Sequence, residues 1–138
     1  MYKHEFQIRV RYSETDKMGF VYYGNYMQYY EVGRVEALRN LGIRYADLED
    51  EFGIIMPVVN MNVRYLRPAY YDELITMQTH ISQLPETSIK FNTEIYNMQK
   101  QLLNAAQITL CFLDAKTKSR LHIPQNILDK LIPYFEKV

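Results

Sequence analysis

The sequence predicts an α+β fold: a mostly antiparallel sheet of five strands, one central helix, and a further helix near the C-terminal end. Three observations carry this prediction. Five segments alternate apolar with polar residues. One early stretch repeats apolar and small residues at helical spacing, and the breaks between the later strands hold turn-forming residues.

The first strand is read from Phe6, Ile8, Val10 and Tyr12, which alternate with Glu5, Gln7, Arg9 and Arg11, the period of a half-buried strand. From Asn25 the spacing changes: Tyr26, Tyr30, Gly33, Ala37 and Leu41 share a helical stripe, widened by Met27, Val35 and Leu38. Glu31, Arg34, Glu36 and Arg39 supply its polar positions, and Gly42 is a stop signal. Glycine costs about 1 kcal/mol against alanine inside a helix. Gly33 in the buried stripe therefore implies a sheet lying close against it. A short second helix is expected over Tyr45 to Phe52, ended by Gly53.

Four strands follow. Val59, Met61, Val63 and Tyr65 form the apolar side of the second; Ile75, Met77, Thr79 and Ile81 that of the third. Ile89, Phe91, Thr93 and Ile95 mark the fourth, and Ala106, Ile108, Leu110 and Phe112 the fifth. Arg67-Pro68-Ala69, Leu84-Pro85-Glu86-Thr87 and Asn97 to Gln101 separate them, which reads as an antiparallel meander. The last helix has Pro124 in its first turn, Ile127, Leu128 and Leu131 on one side, and Pro133 to end or bend it. A single central helix cannot cover both faces of such a sheet. The uncovered face must be polar or meet a partner, so self-association is expected.

Composition narrows the function. With 138 residues, 48% of them hydrophobic, residues 1–138 are expected to form a single domain around one core. Sixteen basic residues balance sixteen acidic ones, so no global field exists to hold nucleic acid or an anionic membrane. The lone Cys111 excludes an internal disulfide and a cysteine-based zinc site, and points to the cytoplasm. No signal peptide is read in MYKHEFQIRV, and no apolar run approaches the ~18 residues of a membrane span. His4, His80 and His122 share no metal-ligand spacing, so no metal and no cofactor is expected.

The informative segment joins the first strand to the helix: Tyr12-Ser13-Glu14-Thr15-Asp16-Lys17-Met18-Gly19-Phe20-Val21-Tyr22-Tyr23-Gly24-Asn25-Tyr26. One reading is a capped connection, in which Asp16 and Thr15 bond to local backbone. The other places the Asp16 carboxylate beside a helix start, whose free N–H groups suit an oxygen that gains negative charge. This segment resembles the signature of the 4-hydroxybenzoyl-CoA thioesterase family of hotdog-fold proteins, and its YbgC-type acyl-CoA thioesterase branch in particular. Met56-Pro57-Val58-Val59-Asn60-Met61-Asn62-Val63-Arg64-Tyr65-Leu66-Arg67-Pro68, continuing to Asp72 and Leu74, is similar to the family's second and third strands. Phe112-Leu113-Asp114 and Ile123-Pro124 match its later joints, so the likeness spans nearly the whole chain.

The resemblance implies a hotdog fold, a five-stranded antiparallel sheet wrapped around the central helix, and hydrolysis of an acyl- or aroyl-CoA thioester to free acid and CoA. Carried onto this sequence, it makes Asp16 the nucleophile or general base, and the Tyr23 backbone N–H the group that polarises the carbonyl. Gly19 matches the glycine that turns the loop back over the ligand. The pocket of family members lies between subunits of a homodimer or homotetramer, so Met56 and Pro57 are candidates for a wall supplied by the partner. Glu14 replaces the first aspartate of the motif and keeps its charge. Tyr23 stands where many YbgC-type members carry histidine, so no imidazole role carries over. Two alternatives differ in class. A hotdog hydratase would pair an aspartate with a catalytic histidine, a motif absent here, whereas a non-catalytic acyl-CoA-binding hotdog protein would share the fold without the chemistry.

Overall fold

A computed structural model describes residues 1–136. Its five long strands are β1 (Tyr2–Arg9), β3 (Val58–Tyr65), β4 (Leu74–Ile81), β5 (Ser88–Tyr96) and β6 (Leu102–Asp114), preceded in the case of β3 by the two-residue β2 (Ile54–Ile55) and followed after β6 by β7 (Arg120–Leu121). The helices are α1 (Tyr26–Asn40), α2 (Tyr45–Asp50) and α3 (Gln125–Leu131). The long strands lie side by side as β1-β4-β5-β6-β3, every pair antiparallel, while β2 and β7 pair with the far end of β6.

The expected meander holds for β4-β5-β6 and fails for β3. That strand pairs β6, whereas β4 pairs β1, so residues 66–73 cross from one side of the sheet to the other. The crossing is fixed by backbone bonds: the N–H groups of Leu66 and Arg67 both donate to the Leu103 carbonyl at 2.9 Å. β1 also differs from its expected limits, beginning at Tyr2 and ending at Arg9. Its register with β4 runs from Tyr2↔Ile81 to Arg9↔Leu74, and beyond the strand Val10 still donates its N–H to the Glu73 carbonyl and accepts the Asp72 N–H. Tyr12 then lies in a 3-10 turn, Tyr12–Glu14, and is exposed.

Helix α1 covers the inner face of the sheet over β1, β4 and β5. Tyr30, Gly33, Ala37 and Leu38 are buried against Ile75, Met77, Ile89 and Phe91. A Cβ on Gly33 would come within 3.1 Å of Thr79 Oγ1 and 3.6 Å of Met77 Sδ, the close approach that this glycine implied. Gly42 and Gly53 end their helices with φ of +86° and +63°, a region that only glycine enters without strain. α3 stops at Leu131 with Pro133 in the following 3-10 turn, and Ile127 and Leu131 are fully buried.

Two expectations about burial are corrected. The apolar side of β3 is not covered: Val58, Val59, Met61 and Tyr65 are 37–51% exposed, because the helix ends its coverage before this edge strand. Arg34, expected on the polar side of α1, is instead buried. The outer face of the sheet meets solvent with polar side chains; Asn62, Gln107, Asn92, His80 and Lys3 form one row across all five strands. The apolar surface in want of a partner therefore lies at the β3 edge rather than on the uncovered face. Among the described residues, no helix is long and apolar enough to cross a membrane.

Candidate active site

Asp16 is held by a tight hairpin. Its N–H donates to the Phe20 carbonyl and its carbonyl accepts from the Gly19 N–H, each at 3.0 Å, with Gly19 at φ +92° to make the reversal. Thr15 and Val21 bridge the base of this hairpin, and the Val21 N–H donates to Ala69 of the crossing segment. The Asp16 carboxylate is half-buried. Its Oδ1 accepts the Met18 N–H at 2.9 Å, the local turn bond of an aspartate in a loop. Nothing among the described residues donates to its Oδ2. The bond at Oδ1 is the local one of the first reading, and Oδ2 is uncommitted among the described residues.

The supporting carboxylate is Glu14, two residues earlier and only 4% exposed. Its Oε1 accepts the Arg11 N–H at 2.8 Å and the Tyr29 hydroxyl at 2.9 Å, while Oε2 receives the Arg11 guanidinium at 2.9 Å. Burial works against ionisation, but the bonds from Arg11 and Tyr29 outweigh it and hold the Glu14 carboxyl below the usual range. The Tyr29 phenol is pushed up by burial and by its bond to this carboxylate. The Glu14 carbonyl accepts from the Tyr22 N–H and from Asn25 Nδ2, so one residue ties the loop to the start of the helix on both sides.

That start is a 3-10 turn, Tyr23–Asn25, running directly into α1. Among the described residues the Tyr23 N–H has no acceptor. Its carbonyl accepts the Tyr65 hydroxyl at 3.3 Å, which anchors the turn to β3. The rings of Tyr22 and Tyr23 lie 4.8 Å apart, and a Cβ on Gly24 would fall 2.9 Å from the Tyr22 ring.

Asp16 and Tyr23 line one cleft of about 270 Å³. Phe20 and Tyr26 continue its aromatic wall, and Tyr65, Arg67 and Pro68 close the far side. Tyr26 takes the Ala69 N–H at 3.2 Å, which locks the crossing segment against the helix. Sequence reasoning placed Tyr26 in the core and had no place for Tyr65 or Pro68 in the site. The i,i+3 spacing of Arg11 and Glu14 was the one local signal for the clamp. Gly19 shapes the hairpin without lining the cleft. Met56 and Pro57 lie before β3, away from Asp16: Met56 is buried in the chain's own core, its carbonyl accepting the Tyr45 hydroxyl, and Pro57 is half-buried. A second groove, about 360 Å³, sits among Asn62, Arg64, His80 and Glu94 on the outer sheet face and shares no residue with the first. Among the described residues no three His, Cys, Asp or Glu side chains gather as a metal site requires.

Residues 18–103 match the family model described as "Thioesterase superfamily". The chain belongs to that superfamily. Among its relatives, the putative acyl-CoA thioesterase YneP of Bacillus subtilis is 37% identical over 106 residues, 76% of either chain. The acyl-CoA thioester hydrolase YbgC of Escherichia coli is 32% identical over 121 residues, 88% of this chain and 90% of the relative. Among solved structures, a DHNA-CoA thioesterase from Staphylococcus aureus superposes with a TM-score of 0.88 at 29% identity, covering 100% of this chain and 98% of the other. A 4-hydroxybenzoyl CoA thioesterase from Pseudomonas reaches a TM-score of 0.85 at 20% identity and shares the fold. This member of the thioesterase superfamily thus has the hotdog architecture that its sequence implied, with the Asp16 loop and the start of α1 meeting in one cleft.

Proposed function

We propose that the chain, acting as a single domain over residues 1–138, hydrolyses an acyl- or aroyl-CoA thioester to the free acid and CoA. The observation that carries this reading is the uncommitted Oδ2 of Asp16 in the same cleft as the unpartnered Tyr23 N–H. Asp16 either attacks the thioester carbonyl, giving a mixed anhydride that water then opens, or takes a proton from the attacking water. The Tyr23 N–H donates to the carbonyl oxygen as it gains negative charge. CoA leaves as its thiolate and takes up a proton. Phe20, Tyr23, Tyr26 and Tyr65 make the cleft a surface for a flat or apolar acyl group.

The working unit in this reading is a homodimer or a homotetramer of dimers, because the cleft opens at the exposed side of β3. Pro57 and the exposed Val58 then approach the cleft of the neighbouring copy, with Met56 contributing through its backbone, its side chain being committed to the core. The free, buried Cys111 suits a cytoplasmic setting.

The test is release of free thiol from a panel of acyl- and aroyl-CoAs. Asp16→Asn, which keeps the turn bond to Met18, should lower turnover by on the order of 10²-fold or more. Turnover like that of the wild type in this variant would refute the mechanism. Binding of the panel without hydrolysis by the wild type would instead establish the alternative, a non-catalytic acyl-CoA-binding protein.

A further inference from the structure

The helical run that continues into α1 begins at Tyr23. The residue before it, Tyr22, has the extended backbone of an N-cap, φ −61° and ψ 131°, but its side chain makes no capping bond. Serine, threonine, aspartate or asparagine at that place would take first-turn N–H groups. Tyrosine takes none, and the Tyr23 N–H has no acceptor among the described residues. The cap is instead supplied from outside the helix. The Glu14 carbonyl accepts the Tyr22 N–H at 3.0 Å and Asn25 Nδ2 at 2.8 Å. A carbonyl only accepts, so the nitrogen of the Asn25 amide must face it.

Asn25 acts on one peptide unit in two ways. Its own N–H donates to the Tyr22 carbonyl at 2.8 Å, and the other end of that peptide unit is the Tyr23 N–H. A hydrogen bond to the carbonyl end of a peptide polarises its N–H end. The Asn25 side chain meanwhile holds the Glu14 carbonyl, which holds the Tyr22 N–H. Tyr22 is thus tied at both its N–H and its carbonyl, and because the peptide is planar this fixes the direction of the Tyr23 N–H. The Tyr65 hydroxyl, donating to the Tyr23 carbonyl at 3.3 Å, anchors the next peptide unit. None of these bonds uses the Tyr23 N–H, and none involves Asp16.

We propose that Asn25 is a positioning residue for the oxyanion site: its amide ties the helix start to the Glu14 carbonyl and so aligns the Tyr23 N–H with a thioester carbonyl held beside Asp16. This rests on the thioesterase reading above. Asn25 does not line the cleft, so its effect is carried by the peptide that it orients. Negative charge on the carbonyl oxygen develops only as the reaction proceeds, so a misaligned N–H costs turnover more than binding.

The test compares the full chain as wild type, Asn25→Ala and Asn25→Gln. Three quantities are read: thiol release from the panel of acyl- and aroyl-CoAs, urea unfolding, and the isotope-edited infrared band of the thioester carbonyl bound in an Asp16→Asn background. Asn25→Ala should lower kcat by about 10–10²-fold, the scale of loss when a supporting contact lets a reacting geometry slip, with KM little changed. Its urea midpoint should hold, since alanine is the strongest helix former and the Glu14 carbonyl keeps the Tyr22 N–H. The bound carbonyl band should move toward its position in free thioester, because the oxygen is less polarised. Asn25→Gln, which keeps a donor amide, should recover part of the turnover and part of the band shift.

Turnover like that of the wild type in Asn25→Ala would overturn the proposal. So would a lower kcat with an unmoved carbonyl band, or one that follows the urea midpoint across both variants; either result makes Asn25 structural and leaves the thioesterase reading standing. A wild type that releases no thiol from any member of the panel refutes that reading itself, and the proposal with it.

Discussion

Replacing Glu14 by alanine removes the buried carboxylate that joins the Asp16 loop to α1, and the structure sets the size of the effect. The Tyr29 hydroxyl, on a residue 1% exposed, loses its acceptor and cannot turn to water, which costs about 1–3 kcal/mol. The ion pair with Arg11 adds only about 0–1 kcal/mol, because the arginine side chain is 68% exposed and regains solvent. The part-buried Arg11 N–H, also orphaned, brings the total to about 2–4 kcal/mol. At roughly 2–4 °C per kcal/mol for a chain of this size, Tm should fall by about 5–15 °C. The decisive assay is a double-mutant cycle with Tyr29→Phe, read by urea unfolding. Once the hydroxyl is gone the orphan cannot form, so Glu14→Ala should cost about 1–2 kcal/mol less in the Tyr29→Phe background. A single-mutant effect within about 0.5 kcal/mol of zero, or full additivity in the cycle, would refute the clamp.

Acid should weaken the same clamp: the folded-state pKa of Glu14 lies below its ordinary value, so its contribution is complete above the normal carboxylate range and is lost as pH falls through the folded value. Stability measured from neutral pH down into the acid range should therefore fall less in Glu14→Gln than in the wild type. Gly33→Ala gains up to about 1 kcal/mol of helix propensity but drives a methyl to 3.1 Å from Thr79 Oγ1; with overpacking at about 1–3 kcal/mol, the urea midpoint should drop at constant slope. Tyr30→Phe leaves the buried Asn104 Oδ1 without the hydroxyl that donates to it at 2.6 Å, and should lower stability by about 1–3 kcal/mol on thermal unfolding. Asp16→Asn, by contrast, should leave thermal stability within about 0.5 kcal/mol, since Oδ1 keeps its turn bond, so that loss of turnover separates from loss of fold.

Much of the scaffold was legible because its signals are local. Alternation located the five long strands, and the positive φ values at Gly42 and Gly53 follow from steric rules that act within a few residues, while the helix-propensity cost of Gly33 signalled its close approach to β4. The two-residue strands β2 and β7 were too short to show a period. Asp16 and Tyr23 stood out through their motif, and they do line one cleft.

The remainder depended on contacts that no window of sequence contains. Whether β3 pairs with β4 or with β6 is a competition between a short turn and a long crossing, and the alternation of Val59, Met61, Val63 and Tyr65 is the same in either case. The crossing brought Tyr65, Arg67 and Pro68 to Asp16, and it left β3 as an edge with its apolar side uncovered. Arg34 reads as a surface residue by type and is buried by position, on the helix that α2 packs against, with Tyr45 of α2 near its guanidinium. Periodicity, set by the backbone's own repeat, determined which residues form strands and helices. Tertiary packing alone, through pairings far apart in the chain, decided which faces are covered, that Arg34 is buried, and what stands opposite the Asp16 carboxylate.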